Sequence, residues 1–255
     1  MRFGLLARLI AKPWWLAGIA ADTLAFVMQF VALGHGPLVV VQPLLVSGLL
    51  FALPLGAWVS GMAINAAEMR GAALVVLGLA VLLVIANPSR GHSTLQAGQW
   101  VAVLAADLVP VAVLTIIAAR AERARAMMLA AAAGCVYGLT AALAKVAAHE
   151  LGIGIGHALA SWEVWALIPG GLLGMMLCQS AFQAGPLAQS LPTLTAVDPV
   201  VSIAIGILAF HERVGHHPVK VVTEGVAMAV MIAGVFLLGR SPLVALEDSD
   251  VEQAR

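Results

Sequence analysis

The chain has 255 residues, of which 62% are hydrophobic and 10% are charged, and its formal net charge is zero. A soluble domain is about half apolar and a quarter charged, so this composition excludes an ordinary soluble protein and indicates a polytopic helical membrane protein. Because the net charge is zero, it gives no support for a nucleic-acid partner. The expected partners are the lipid bilayer and a small-molecule or cation substrate, and a homodimer is also compatible with the sequence.

Apolar segments long enough to cross a bilayer recur along the whole chain. A helix needs about 20 such residues to span the hydrocarbon core. The predicted fold is therefore all-α, a polytopic transmembrane helical bundle. Its eight predicted spans are about 14–34, 38–59, 68–87, 98–119, 126–148, 163–184, 187–210 and 218–239.

Lys and Arg side chains in the short loops predict the orientation of the bundle. One side holds most of them, and the other holds only Arg90, Arg213 and Lys220. We therefore expect both ends of this chain on the cytoplasmic side of the cell inner (plasma) membrane. Lys145 lies inside a predicted span near its outer end, where we expect its ammonium group to snorkel to the interface. Trp100 and the other five tryptophans lie near predicted helix ends, as in an aromatic belt.

The first span carries Asp22 and Gln29, which are seven residues apart and share one helical face. A carboxylate at membrane depth is costly and is by default a candidate for function. Asp107 has a similar place in the fourth span, with Pro110 one turn later. A polar contact that holds neighbouring helices together explains each carboxylate equally well, so both interpretations stay open.

A Gly-Pro-Leu motif opens both the second and the seventh spans. Gly36-Pro37-Leu38 leads to Pro43, and Gly185-Pro186-Leu187 leads to Pro192, 149 residues later. Internal symmetry with paired Pro-containing helices is a sequence signature of secondary transporters with inverted repeats. We predict a first repeat of three spans in 1–95, a second repeat of five spans in 96–240, and a polar cytoplasmic tail in 241–255. The unequal halves mean that the protein is either asymmetric or lacks its start. Because Met1-Arg2-Phe3 resembles a cytoplasmic loop that enters a helix, we expect that at least one span before Met1 is missing.

Asp198 lies near the middle of the seventh span and is the preferred candidate for binding a substrate or ion. Thr195 and Ser202, three residues before it and four after it, share its helical face. A buried structural carboxyl group is the alternative interpretation. Three prolines are predicted to break their helices and free carbonyl groups for a ligand: Pro43, Pro192 and Pro199.

Amide side chains and small residues complete the set of intramembrane candidates. Amides bind a polar substrate without the cost of a charge, but they also hydrogen-bond helices together. The pairs Gly134–Gly138 and Gly170–Gly174 predict close helix packing. The glutamine candidates near the two Gly-Pro hairpins are Gln42, Gln179, Gln183 and Gln189.

The sequence contains no motif that indicates an enzyme or a metal site. No Ser-His-Asp or Cys-His set lies at a common depth, and no phosphate-binding loop carries a Lys. Cys135 and Cys178 lie in apolar runs, as small buried hydrophobic residues do. We therefore expect no catalytic activity, no metal and no cofactor. Four side chains of metal-ligand type lack a recognised spacing: His211, Glu212, His216 and His217.

The closing part of the chain resembles the signature of the drug/metabolite transporter (EamA-like) superfamily. Phe210-His211-Glu212-Arg213-Val214 is followed by an apolar helix that begins at Glu224-Gly225 and contains Gly234. Trp14-Trp15-Leu16-Ala17-Gly18, followed by Pro37 to Leu44, resembles the NIPA-type branch and related actinobacterial proteins. The first half departs from the pattern, because Trp58-Val59-Ser60-Gly61 stands where the repeat would place its Glu.

This resemblance implies a secondary transporter that moves a small solute by alternating access, in which two repeats rock about a site near the bilayer midplane. The NIPA-type branch implies a Mg²⁺ permease as the alternative, and it also implies nine spans. A non-transporting membrane subunit or a truncated remnant is the third interpretation. Convergence of Asp22, Asp107 and Asp198 on one cavity would favour transport, whereas scattered carboxylates would favour a structural role.

Overall fold

The computed structural model describes residues 13–48, 50–51, 54–55, 58, 64–85, 91–185, 187–212 and 218–239. In this part of the chain the regular structure is helical and contains no strand, which confirms the predicted all-α class. A single turn of 3₁₀ helix, Glu122–Ala124, precedes the longest helix. The helices are α1 (Pro13–His35), α2 (Leu38–Val46), α3 (Ala66–Ile85), α4 (Ala97–Ala118), α5 (Arg125–Ile153), α6 (Ile155–Ala160), α7 (Trp162–Ala184), α8 (Leu187–Leu208) and α9 (Pro218–Gly239).

Four of these helices, α4, α5, α7 and α8, are long and apolar enough to cross a bilayer. Their length and composition indicate a membrane protein, in agreement with the overall composition. Helices α1, α3 and α9 lie where further spans are predicted, and α2 covers the start of the predicted span 38–59. The predicted tail, 241–255, lies outside the described residues.

Helix α5 lies at the centre of the bundle. It packs against α1, α4, α7 and α8. In its most apolar stretch 67% of the residues are buried, against 17% in α4 and 11% in α7. Because small side chains dominate α5, its neighbours approach it closely, and α4 and α7 keep apolar outer faces suited to lipid.

The two glycine pairs confirm the predicted close packing. A methyl group on Gly138 of α5 would lie 2.8 Å from Val201 Cβ of α8, and one on Gly134 would lie 2.8 Å from Val197 Cβ. Glycines of α7 pack in turn on side chains of α5, because a methyl group on Gly170 would lie 2.8 Å from Thr140 Cγ2. The absence of a Cβ atom at these positions brings the three helices together.

A second packing unit joins α3 and α9. A methyl group on Gly78 of α3 would lie 2.6 Å from the carbonyl oxygen of Ala227, and one on Gly234 of α9 would lie 2.7 Å from the carbonyl oxygen of Gly71. Val46 at the end of α2 contributes to the same small core, together with Val75 and Met231. Helix α2 also packs against α8, so it connects this unit to the central bundle.

The loops that are predicted on the outer side of the membrane gather at one end of the bundle. The backbone N–H of His92 donates to the carbonyl of Phe210 at 2.7 Å. At the same end Trp100 Nε1 donates to Glu163 Oε1 at 3.0 Å, and the Trp100 ring contacts Trp162 edge to face at 5.2 Å. Trp100 is only 3% exposed, so its place in an aromatic belt was predicted wrongly, because its polar edge is occupied inside the protein.

Candidate functional site

Asp107 lies half-way along α4 and is 5% exposed. Neither of its carboxylate oxygens has a hydrogen-bond partner among the described residues. Other buried carboxylates in this part of the chain are bonded: Glu163 accepts from Trp100, and Glu68 accepts from the backbone N–H of Asn65 at 2.7 Å. A buried polar group without a partner costs about 1–3 kcal/mol. The structure therefore leaves Asp107 with two acceptor atoms for a bound species.

A cavity of about 520 Å³ lies beside Asp107. One face of α4 forms its first wall, because Gln99, Val103, Asp107 and Pro110 are spaced one turn apart. Small-molecule sites in proteins typically have volumes of about 300–1,000 Å³, so the cavity has the size of a ligand site. The opposite walls are formed by Cys135 of α5, by Val201, Ala204, Ile205 and Leu208 of α8, and by Ala209 and His211 after α8.

The walls of this cavity are apolar apart from a few side chains. Among its described lining residues Asp107 is the one carboxylate, and none is a Lys or Arg. Pro110 also lines the cavity, and it has no N–H to donate to the carbonyl of Ala106, so that carbonyl loses its helical hydrogen bond next to Asp107. Gln99 and His211 lie toward the end where the outer loops gather. The arrangement suits a small molecule with an apolar body and one positive charge.

Asp198, the preferred candidate from the sequence, lies in a different environment. It is half-buried and is not among the described lining residues of the cavity. Ser202 Oγ donates to its Oδ1 at 3.3 Å, as the shared helical face predicts, whereas Thr195 Oγ1 donates to the carbonyl of Leu191 at 2.9 Å. Gly134 of α5 packs on the backbone beside it. In the described structure Asp198 is thus a partnered group at a contact between helices.

The three prolines predicted to break helices lie inside helices that continue past them. Pro43 lies within α2, and Pro192 and Pro199 lie within α8. Each removes one hydrogen bond from its helix, but packing against α5 and between α2 and α8 holds the helices together on both sides of the missing bond. The prolines therefore free single carbonyl groups without ending a helix.

The amide candidates are divided between the interior and the surface. Gln42 of α2 is 2% exposed, and its Nε2 has no partner among the described residues. Gln29 of α1 is half-buried. The side chain of Asp22 lies outside the described residues, and of the other two carboxylates Asp107 lines the cavity and Asp198 does not. Three amides are exposed and do not share the environment of Gln42: Gln179, Gln183 and Gln189.

A buried ion pair that the sequence analysis missed lies next to the cavity. Lys145 of α5 pairs with Oε1 of Glu212, and both side chains are almost fully buried. Lys145 therefore does not snorkel, because it and Glu212 each supply the counter-charge that the other needs inside the protein. The available signal was the position of Lys145 within an apolar span, since an intramembrane cation requires a partner.

Similar proteins place the chain in a family. It is 34% identical over 249 residues to an uncharacterised protein of Corynebacterium glutamicum, and the match covers 94% of this chain and 84% of that protein. No protein-family model matches the chain, and no solved structure matches it. Because the similarity extends over nearly all of both proteins, the chain belongs to the same family as this Corynebacterium glutamicum protein.

Proposed function

We propose that the protein is an integral membrane secondary transporter of the drug/metabolite type, which moves a small solute across the cell membrane by alternating access. The observation that carries this proposal is the cavity of about 520 Å³ with the unpartnered carboxylate of Asp107 in its wall. A purely structural carboxylate would be expected to bond to a neighbouring helix, as Glu163 bonds to Trp100.

The chemistry of the cavity favours a monovalent cation with an apolar body as the solute. A single carboxylate is neutralised by one positive charge, and the apolar walls favour an organic group over water. Mg²⁺ binds in proteins through carboxylates and retained waters, and the described lining residues supply only one carboxylate. The NIPA-like Mg²⁺ permease therefore remains the alternative that a flux measurement must compare.

The packing of the helices supports the proposed repeat. If the offset of 149 residues relates two inverted repeats, the partners of α2 and α3 are α8 and α9. Helix α2 packs against α8, and α3 packs against α9, as expected for equivalent helices that meet at a pseudo-two-fold axis. The proposal includes eight spans, with a three-span and a five-span repeat and with both ends of this chain in the cytoplasm.

Flux into proteoliposomes tests the proposal. Purified protein is reconstituted, and uptake of ethidium, tetraphenylphosphonium and Mg²⁺ is measured with and without an imposed pH gradient. We expect uptake of an organic-cation probe by the wild type and its loss in Asp107→Asn, which keeps the side-chain shape but removes the negative charge. Thr115→Val is the matched control on α4, because Thr115 bonds only to carbonyls of its own helix in the described structure.

The possible results separate the three functions. Uptake of Mg²⁺ alone, sensitive to Asp107→Asn, would favour the permease. Absence of flux for every probe in correctly folded protein would favour a non-transporting subunit. Equal organic-cation flux in wild type and Asp107→Asn would show that the carboxylate in the cavity is not needed for transport, and it would contradict the proposed site.

A further inference from the structure

The cavity beside Asp107 is a groove between α4 and α8. Helix α4 packs closely against α5 alone among the described helices, and α8 also packs against α5. Cys135 of α5 lines the cavity, and the other described lining residues belong to α4, to α8 and to the two positions after α8. Because α4 and α8 do not pack closely on each other in the described structure, a gap separates them on the side away from α5.

Small and exposed residues border this gap. Ala102, Ala106 and Pro110 line the cavity from α4 and are spaced one turn apart, and Ala204 and Leu208 line it from α8. All five are also exposed at the surface of the protein, so they lie where the cavity opens to its surroundings. We call this opening the α4–α8 slot. Because the side chain of alanine is a single methyl group, it leaves the slot unfilled.

The depth of the slot places it against the hydrocarbon core of the bilayer. Helix α4 is long and apolar enough to cross the bilayer, and Asp107 lies at its middle. At 1.5 Å per residue, Ala102 and Pro110 lie about 8 Å and about 4.5 Å from that point along the helix axis. The hydrocarbon core extends about 15 Å on each side of the midplane. An apolar chain can therefore reach the cavity from the lipid without crossing water.

Three oxygen atoms beside the slot are available to accept hydrogen bonds. Two are the carboxylate oxygens of Asp107, which have no partner among the described residues. The third is the carbonyl oxygen of Ala106, because Pro110 has no N–H to donate to it. A protonated primary amine carries one positive charge and three N–H donors, as the ammonium group of lysine does. It therefore matches this site in charge and in the number of hydrogen bonds.

The interior of the groove gives a charged head a polar route from the membrane surface. Gln99 also lines the cavity, and it lies eight residues before Asp107, or about 12 Å toward the start of α4. His211 lines the cavity as well. A charge in the centre of a bilayer is costly unless polar groups or water accompany it. A ligand with its charged head in the groove and its apolar chain in the slot satisfies both environments.

We propose that the groove binds a single-chain amphiphile with a protonated primary amine as its head group, which enters from the bilayer through the α4–α8 slot. The ammonium group bonds to Asp107 and to the carbonyl of Ala106, and the alkyl chain extends through the slot into the lipid. Movement of this amphiphile across the membrane rests on the proposed transport function, but its binding is measurable without transport.

Photo-crosslinking of the full chain in lipid nanodiscs at pH 7 tests the proposal. The probe is a dodecylamine derivative with a diazirine in the middle of its chain, and mass spectrometry identifies the labelled residues. Dodecylamine is the matching competitor and is protonated at this pH. Dodecyltrimethylammonium keeps its chain and charge but has no N–H donor, dodecanol keeps the chain without the charge, and methylamine keeps the head group without the chain.

We expect the probe to label α4 and α8 at the slot, and dodecylamine to compete about tenfold better than any of the other three compounds. Asp107→Asn should reduce the labelling about tenfold, because a charge-assisted hydrogen bond is lost. Ala106→Leu and Ala204→Leu narrow the slot at exposed positions that tolerate a larger side chain, and each should also reduce the labelling. Ala105→Leu is the matched control, since Ala105 is exposed at the same depth but does not line the cavity.

Each alternative result contradicts one part of the proposal. Labelling that Asp107→Asn leaves unchanged, or that dodecanol reduces as well as dodecylamine, would show contact with lipid only. Equal competition by dodecyltrimethylammonium would refute the primary amine, and equal competition by methylamine would refute a role for the chain. Unchanged labelling in both slot variants would refute the slot.

The same measurements separate this proposal from the transport function. Specific labelling without flux of any probe would refute the transporter and support the binding site. Organic-cation flux without specific labelling of α4 and α8 would support the transporter and overturn the amphiphile site.

Discussion

Replacement of Asp107 by Leu should stabilise the protein while abolishing its proposed activity. Leu has the same branching as Asp, and the cavity next to the side chain leaves room for its methyl groups. The substitution removes the two carboxylate oxygens that have no partner among the described residues. Because an unsatisfied buried group costs about 1–3 kcal/mol, the free energy of unfolding should rise by about that amount.

For a chain of this size 1 kcal/mol corresponds to roughly 2–4 °C in melting temperature, so we expect an increase of about 2–12 °C. The fraction of monodisperse protein that remains after heating in detergent measures this change. Asp198→Leu is the control: its Ser202 bond is lost, so its melting temperature should fall. A fall of similar size in Asp107→Leu would refute the reasoning, because it would show that Asp107 makes a structural bond.

Three further predictions concern orientation, coupling and packing. In a cysteine-free background, Ser93→Cys should react with an impermeant thiol reagent from outside intact cells, and Glu122→Cys should not; the reverse pattern would invert the proposed topology. Asp198→Asn should abolish gradient-driven flux if Asp198 couples transport, and undiminished flux in folded protein would limit it to a structural role. Gly138→Ala should lower the free energy of unfolding by about 1–3 kcal/mol, because the added methyl group would lie 2.8 Å from a side chain of α8. Gly171→Ala should be neutral or stabilising in the same thermal assay, because the added methyl group would have no described neighbour within 4 Å.

The helices and their closest contacts are predictable from the sequence because local rules determine them. The length of each apolar run predicts where the helices α4, α5, α7 and α8 lie, since a bilayer requires helices of that length. The spacing of Gly134 and Gly138 predicts a close approach, which the structure shows against α8. Asp107 was a candidate on the same grounds, because an intramembrane carboxylate is costly wherever it lies.

The partners of the buried charges were not predictable by the same rules. Lys145 and Glu212 are 67 residues apart, and no local pattern connects them. The sequence likewise ranks Asp198 above Asp107, because Asp198 has hydroxyl groups on its own helical face. Those hydroxyl groups donate to local acceptors, including Asp198 itself. Asp107 has no hydrogen-bond partner among the described residues and lies beside the cavity. Tertiary packing, which the sequence does not show, places Asp107 at the cavity and Asp198 at a helix contact.

The sequence separation of the buried pair Lys145 and Glu212 has a consequence for biosynthesis. Lys145 emerges from the ribosome 67 residues before Glu212. At roughly 5–20 residues per second, α5 waits about 3–13 s for its counter-charge. A Lys at the centre of a helix raises the free energy of membrane insertion by about 3 kcal/mol, and a Lys nearer the helix end raises it by less. Insertion of nascent α5 into lipid on its own is therefore unfavourable during that interval. We expect it to remain beside the translocon until α8 is complete, so that the two helices partition into the bilayer as a pair.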